Sequence, residues 1–114
     1  MVKSELKEGL KFDSGKLPYH LLPWDAVDEI VRVLQFGAAK YAERNWEKGM
    51  SWSRGFGALI RHASAWWMGE DKDPESGLHH LAHCGCCVLF GLSYALRKVG
   101  RDDRPANAKL NRGT

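Results

Sequence analysis

The chain has 114 residues, 44% of them hydrophobic and 27% charged, which suits one compact domain and excludes two domains or a wholly disordered chain. Lys and Arg number 17 against 14 Asp and Glu, a formal charge of +3. That excess is too mild to designate nucleic acid as the partner, but it suits a ligand that carries its own negative charge.

Residues 1–22 carry Gly9, Gly15 and Pro18 among charges and read as an extended N-terminal arm without the apolar core of a signal peptide. A folded domain is expected over 23–98. Its first helix should start near Pro23, a residue favoured at helix starts. Val27, Ile30, Val31, Leu34, Ala38 and Tyr41 then recur on one helical face, and Gly37 inside the helix suggests a close approach of another element. Residues 45–52 read as a loop, with Ser51 or Ser53 as the N-cap of a second helix. That helix carries Phe56, Leu59, Ile60, Ala63 and Trp67 on one face and ends at Gly69.

After an acidic connection, Asp73 as N-cap and Pro74 at the first helical position predict a third helix over Pro74 to Lys98. It is apolar nearly all round from Cys84 to Leu96, 13 positions where a bilayer span needs about 20. No membrane association is expected. A helix apolar on every side must be covered on every side, and three helices cannot do that alone. The expected fold is therefore an all-α bundle of three main helices completed by homo-oligomerisation. Five tryptophans, too many to bury in so small a domain, point the same way, toward a cleft or an interface. Residues 99–114 are expected to form a mobile basic tail.

The densest cluster of chemically capable side chains is Glu70, Asp71, Asp73, Glu75, His79, His80 and His83, with His62 on the helix before. If helices two and three form an antiparallel hairpin turning near residue 70, Arg61 and His62 lie level with His80 and His79. His80 and His83, three apart on one helix, can address one point. Imidazole nitrogens and carboxylate oxygens converging between helices make a divalent-metal site. The same residues are also compatible with plain capping and solvated helix positions.

Cys84 and Cys87 lie four after His80 and His83, so a thiolate–imidazole zinc site is geometrically open. The stronger reading makes Cys84, Cys86 and Cys87 small buried apolar residues, because unpaired cysteine packs that way. Their odd number and tight spacing exclude a disulfide framework and suit a reducing, cytoplasmic compartment. A basic constellation of Lys11, Lys16, Lys40, Arg44, Arg54 and Arg61 precedes the acidic connection, and 40–46 mixes cations with stacking groups. That combination suits a phosphate chain and a base. There is no glycine-rich phosphate loop and no dinucleotide fingerprint.

The segments Lys11-Phe-Asp-Ser-Gly-Lys-Leu-Pro-Tyr-His-Leu-Leu-Pro23, Phe36-Gly-Ala-Ala-Lys-Tyr41, Asn45-Trp46, Arg61-His62 and Gly69-Glu-Asp-Lys-Asp-Pro-Glu-Ser-Gly-Leu-His-His-Leu-Ala-His83 together resemble the phage dATP/dGTP diphosphohydrolase domain. The likeness covers about residues 11 to 97. The resemblance implies a branch of the all-α MazG-like nucleotide pyrophosphohydrolases, which assemble as oligomers and use divalent metal. It further implies hydrolysis of purine deoxynucleoside triphosphates, chiefly dGTP, in the making of diaminopurine-containing phage DNA. His80-Leu-Ala-His83 stands where the wider superfamily carries acidic metal ligands. On that basis His62, Glu70, Asp73, His80 and His83 are the expected ligands of Mg²⁺ or Mn²⁺. Arg61 and Lys40 are the expected catalytic cations, and Lys16, Asn45 and Trp46 the expected substrate contacts. His79, rotated about 100° from His80, is expected to be dispensable. The competing reading is a small regulatory protein that binds nucleic acid through the tail from Arg97, whose local charge is +4.

Overall fold

Three α-helices carry the fold in a computed structural model that describes residues 9–105. They are α1, Trp24–Lys40; α2, Trp52–Trp67; and α3, His80–Arg97. Short 3₁₀ turns, Tyr19–Leu21 and Asn45–Lys48, precede α1 and α2, and no strand occurs among the described residues. The all-α expectation holds. Among the described residues no helix is long and apolar enough to cross a membrane.

Helix α1 starts directly after Pro23, with Asp25 in the first turn and Lys40 in the last, each charge complementing the helix dipole. Its buried face is rotated from the expected one. Val33 is the buried residue, with Ile30 and Leu34 beside it against Ala82 and Cys86 of α3. Val31 and Tyr41 face solvent. Gly37 meets nothing; the close approach is at Gly85, where a Cβ would lie 2.6 Å from Ile30 Cδ1.

Helix α2 starts at the expected place by a different device. Ser51 occupies the N-cap position, but its hydroxyl makes no capping bond and instead accepts from Arg101 Nη2 at 3.0 Å. The capping carboxylate comes from far along the chain: Asp103 Oδ1 accepts from the Ser53 N–H at 2.9 Å, and Oδ2 accepts from the Ser53 hydroxyl. Trp52 N–H donates to Arg101 C=O at 2.9 Å, and the Trp52 indole donates to Val99 C=O at 3.0 Å. The stretch expected to be mobile from residue 99 is thus held against α2 as far as Asp103; residues 106–114 lie outside the described residues. At its far end α2 turns at Gly69, whose φ of +102° suits glycine.

Helix α3 begins six residues later than expected, and Asp73 does not cap it. Asp73 Oδ2 accepts from Ser76 N–H at 3.0 Å, Ser76 Oγ accepts from Leu78 N–H at 3.1 Å, and Gly77 takes a φ of +73°. These local bonds satisfy the backbone without a helix, which is how Ser and Asp compete with helical structure. Lys72 pairs antiparallel with His79 across the turn, and His79 Nδ1 accepts from Leu81 N–H at 3.0 Å as the true N-cap.

Both α1 and α2 pack on α3. That contact buries His80, Ala82, Cys84, Cys86 and Tyr94 but leaves Leu81, Val88, Leu89, Leu92 and Leu96 exposed. Phe56, Ile60 and Trp67, the expected inner face of α2, are also exposed. The radius of gyration is 19.0 Å, against about 13 Å for a compact domain of this length.

Candidate functional site

Because α1 and α2 meet α3 from two sides, a groove of ≈ 1840 Å³ runs between them. Helix α2 contributes Arg54, Arg61 and His62 to it, α1 contributes Phe36 and Lys40, and α3 contributes His80, His83 and Phe90. The 70–79 connection closes one end with Asp73 and Glu75.

At that end three potential ligands converge: one atom each of His62, Asp73 and His80, all within 4.8 Å of one another. The Nδ1 atoms of His62 and His80 are 2.9 Å apart. That is a hydrogen-bond distance, and it brings the two nitrogens close enough for one cation to replace the proton between them. His80 is the buried polar residue among the described residues, and its Nε2 lies 2.6 Å from Glu70 Oε1. The His83 ring stacks on His62 with centroids 4.3 Å apart, and its Nε2 lies 2.7 Å from Ser76 Oγ.

Burial pushes the His62 imidazole below its ordinary range, and the neighbouring His83 pushes it further. Burial likewise lowers His83. Both rings are therefore neutral near pH 7, with lone pairs available. For Asp73, burial raises the carboxyl, but the Ser76 N–H, the His83 charge and the Ser76 hydroxyl together outweigh it and hold the group below its ordinary value. An ionised Asp73 carboxylate beside the neutral His62 ring, with a His80 nitrogen in reach, is a donor set for a borderline divalent ion.

Of the five residues expected to ligate, His62, Asp73 and His80 converge, His83 packs against His62, and Glu70 engages the outer nitrogen of His80. Arg61 lines the groove exposed, with no carboxylate partner among the described residues. Lys40 reaches Glu75 Oε2 at 2.6 Å, and this bond holds its ammonium above the ordinary range. Asn45 and Trp46 line the groove away from the histidines. The Trp46 indole stacks on Phe90 at 4.4 Å, and the Arg97 guanidinium sits 5.4 Å from its centre. Lys16 lies exposed in the segment before α1 and does not line the groove.

The sequence reading missed Ser76, which binds both the Asp73 turn and His83; the Asp-x-x-Ser spacing of a side-chain-capped turn was its available signal. The cysteines stand apart from this cluster. Burial pushes the Cys86 thiol up to about 12, and Cys84 Sγ donates to Leu59 C=O at 3.7 Å, so they behave as packing residues.

A family model described as dATP/dGTP diphosphohydrolase, N-terminal, matches residues 7–104. The dATP/dGTP diphosphohydrolase of Salmonella phage PMBT28 is 36% identical over 102 residues, which is 90% of this chain and 35% of the relative. The chain therefore spans about a third of the length of the curated relative it matches. No solved structure matches it.

Proposed function

Because the chain belongs to the dATP/dGTP diphosphohydrolase N-terminal family, we propose that it hydrolyses purine deoxynucleoside triphosphates, dGTP and dATP, to the monophosphate and pyrophosphate. The observation that carries this reading is the convergence of His62, Asp73 and His80 at the closed end of a groove lined by Lys40, Arg54 and Arg61. His62, Asp73 and His80 are the residues to hold a divalent cation, Mn²⁺ or Mg²⁺. Such an ion supplies neutralisation of phosphate charge and acidification of water.

The chain's own residues do the rest. Arg61, free of any carboxylate partner among the described residues, is available for a bidentate grip on phosphate oxygens. Lys40 exchanges Glu75 for a phosphate oxygen and so adds a second cation where charge grows in the transition state. Water attacks the α-phosphorus, the bond to the bridging α–β oxygen breaks, and that oxygen leaves on pyrophosphate. Asn45 and the exposed edge of Trp46 are positioned for sugar or base; Lys16 is a contact only for a substrate that reaches beyond the groove. The biological setting we propose is control of the purine deoxynucleotide pool that supplies modified phage DNA.

The uncovered apolar rows on α2 and α3 support a homo-oligomer in the working protein. Binding nucleic acid through the tail has less support. Arg97, Arg101 and Arg104 are in ion pairs with Glu47, Asp103 and Asp102.

Incubating the chain with each deoxynucleoside triphosphate and Mn²⁺ or Mg²⁺, then resolving the products, tests the proposal. Monophosphate and pyrophosphate from dGTP and dATP are expected. Inorganic phosphate or intact triphosphate as the product overturns the reaction class.

A further inference from the structure

Glu70 stands in an unusual relation to His80. The histidine side chain is 4% exposed while the glutamate side chain is 51% exposed, yet Glu70 Oε1 lies 2.6 Å from His80 Nε2. A carboxylate with half its surface in water gains little from this bond. The buried imidazole gains a partner for Nε2, its Nδ1 being met by His62, and an unpaired buried polar group is costly.

The backbone holds the two residues in register. Gly69 at φ +102° reverses the chain after α2, and the Glu70 N–H donates to Ala65 C=O at 3.0 Å. The His80 N–H donates to Asp71 C=O at 2.8 Å. The same short connection therefore pins His80 at its backbone through Asp71 and at its ring through Glu70.

A carboxylate only accepts, so the proton of a neutral His80 must sit on Nε2. That leaves the Nδ1 lone pair pointing at His62 Nδ1, 2.9 Å away, the other histidine of the candidate ligand group. The two ring nitrogens point in divergent directions, so a carboxylate bonded at Nε2 is on the wrong side of the ring to share an ion held at Nδ1. We infer that Glu70 is a positioning residue and not a ligand: it fixes the tautomer and orientation of His80 so that Nδ1 is presented to the cation. This inference rests on the metal reading above. Ligating histidines are generally oriented this way, and loss of such a partner lowers metal affinity about 10–100-fold.

Two measurements on Glu70→Ala and Glu70→Gln test it. The first is long-range ¹H–¹⁵N spectroscopy of histidine-labelled, metal-free protein. Wild type is expected to show His80 protonated on Nε2, Glu70→Gln to keep that form through its amide oxygen, and Glu70→Ala to show a mixture. The second is calorimetric titration with Mn²⁺, where Glu70→Ala is expected to bind about 10–100-fold more weakly and Glu70→Gln to recover part of the loss. Unchanged His80 resonances in Glu70→Ala overturn the inference, as does wild-type Mn²⁺ affinity in that variant. Failure of wild type itself to bind Mn²⁺ sinks the metal reading and, with it, the ligand role assigned to Nδ1. The tautomer measurement still decides whether Glu70 controls His80. Glu70 is exposed, so the variants should fold, and thermal melting checks that they do.

Discussion

Lys40 Nζ lies 2.6 Å from Glu75 Oε2, joining the last turn of α1 to the connection that leads into α3. The two residues are 35 apart in sequence, and both side chains are exposed. An exposed pair of this kind does little for stability, because solvent screens it and two long side chains must be ordered to make it. Its position beside Asp73 and His83 gives it a different use, as a cation kept at the groove until phosphate replaces its partner. Lys40→Met should therefore melt close to wild type while kcat/KM for dGTP falls about 10²-fold, the scale of losing one charge-stabilising donor. Glu75→Gln should leave kcat/KM close to wild type or raise it, since it frees the ammonium. Steady-state kinetics on both variants, with melting curves, checks this; equal losses in the two would mark the pair as structural.

The neighbouring histidines separate by role. His79 caps α3 through Nδ1, so His79→Ala should cost about 1 kcal/mol in stability and leave turnover intact. His62→Ala and His80→Ala should each lose metal-dependent turnover by several orders of magnitude. His83→Ala removes the ring stacked on His62 and the contact to Ser76, and turnover should fall with it. Full activity in a stably folded His62→Ala, His80→Ala double variant would falsify the site.

Acid should act on this protein in two stages. His62 and His83 titrate below the 6.5 of an unconstrained imidazole, burial being the main cause, so below 6.5 the unfolded chain binds more protons than the folded one. Stability contributed by keeping them neutral is whole above 6.5 and declines as pH falls from 6.5 to their folded values. Asp73 works in the carboxylate range: its folded value is below 3.8, so its contribution is present above 3.8 and is lost as pH falls through the folded value. Denaturant unfolding from pH 8 to 4 should show a decline starting near 6.5, and His83→Phe should flatten it. A profile level from pH 7 to 5 would contradict the account.

Two glycines of α3 should respond oppositely to alanine. A Cβ on Gly85 meets Ile30 Cδ1 at 2.6 Å and Cγ1 at 2.9 Å, so Gly85→Ala must shift α1 or the Ile30 rotamer and should destabilise by about 1–3 kcal/mol. Gly91 meets nothing within 4 Å, and Gly91→Ala should stabilise by about 0.5–1 kcal/mol from helix propensity alone. Urea titrations of the two variants provide the comparison.

Local chemistry was legible from the sequence wherever one residue type decides a local outcome. Pro23 opens α1, Gly69 closes α2, and the helical character of these two could be read from apolar spacing, whereas α3 offered an apolar run with no single face. An antiparallel α2–α3 hairpin could be anticipated from helix geometry, but its register is one residue off the expected level: His62 meets His80 and not His79. What the sequence could not determine depends on partners distant along the chain. The N-cap of α2 comes from Asp103, fifty residues after Ser53, and no local pattern announces it. The start of α3 was misread because Asp-Pro-Glu is a good helix opening in isolation, whereas Ser76 and Gly77 stabilise a turn that pairs Lys72 with His79. That turn is what moves Asp73 from a helix cap to the side of His62 and His80 and puts Glu70 at the other side of the His80 ring. Residue types set which groups were available for chemistry; only the tertiary structure decided which nitrogen of His80 faces the site, because a ring's orientation is set by what bonds its other side.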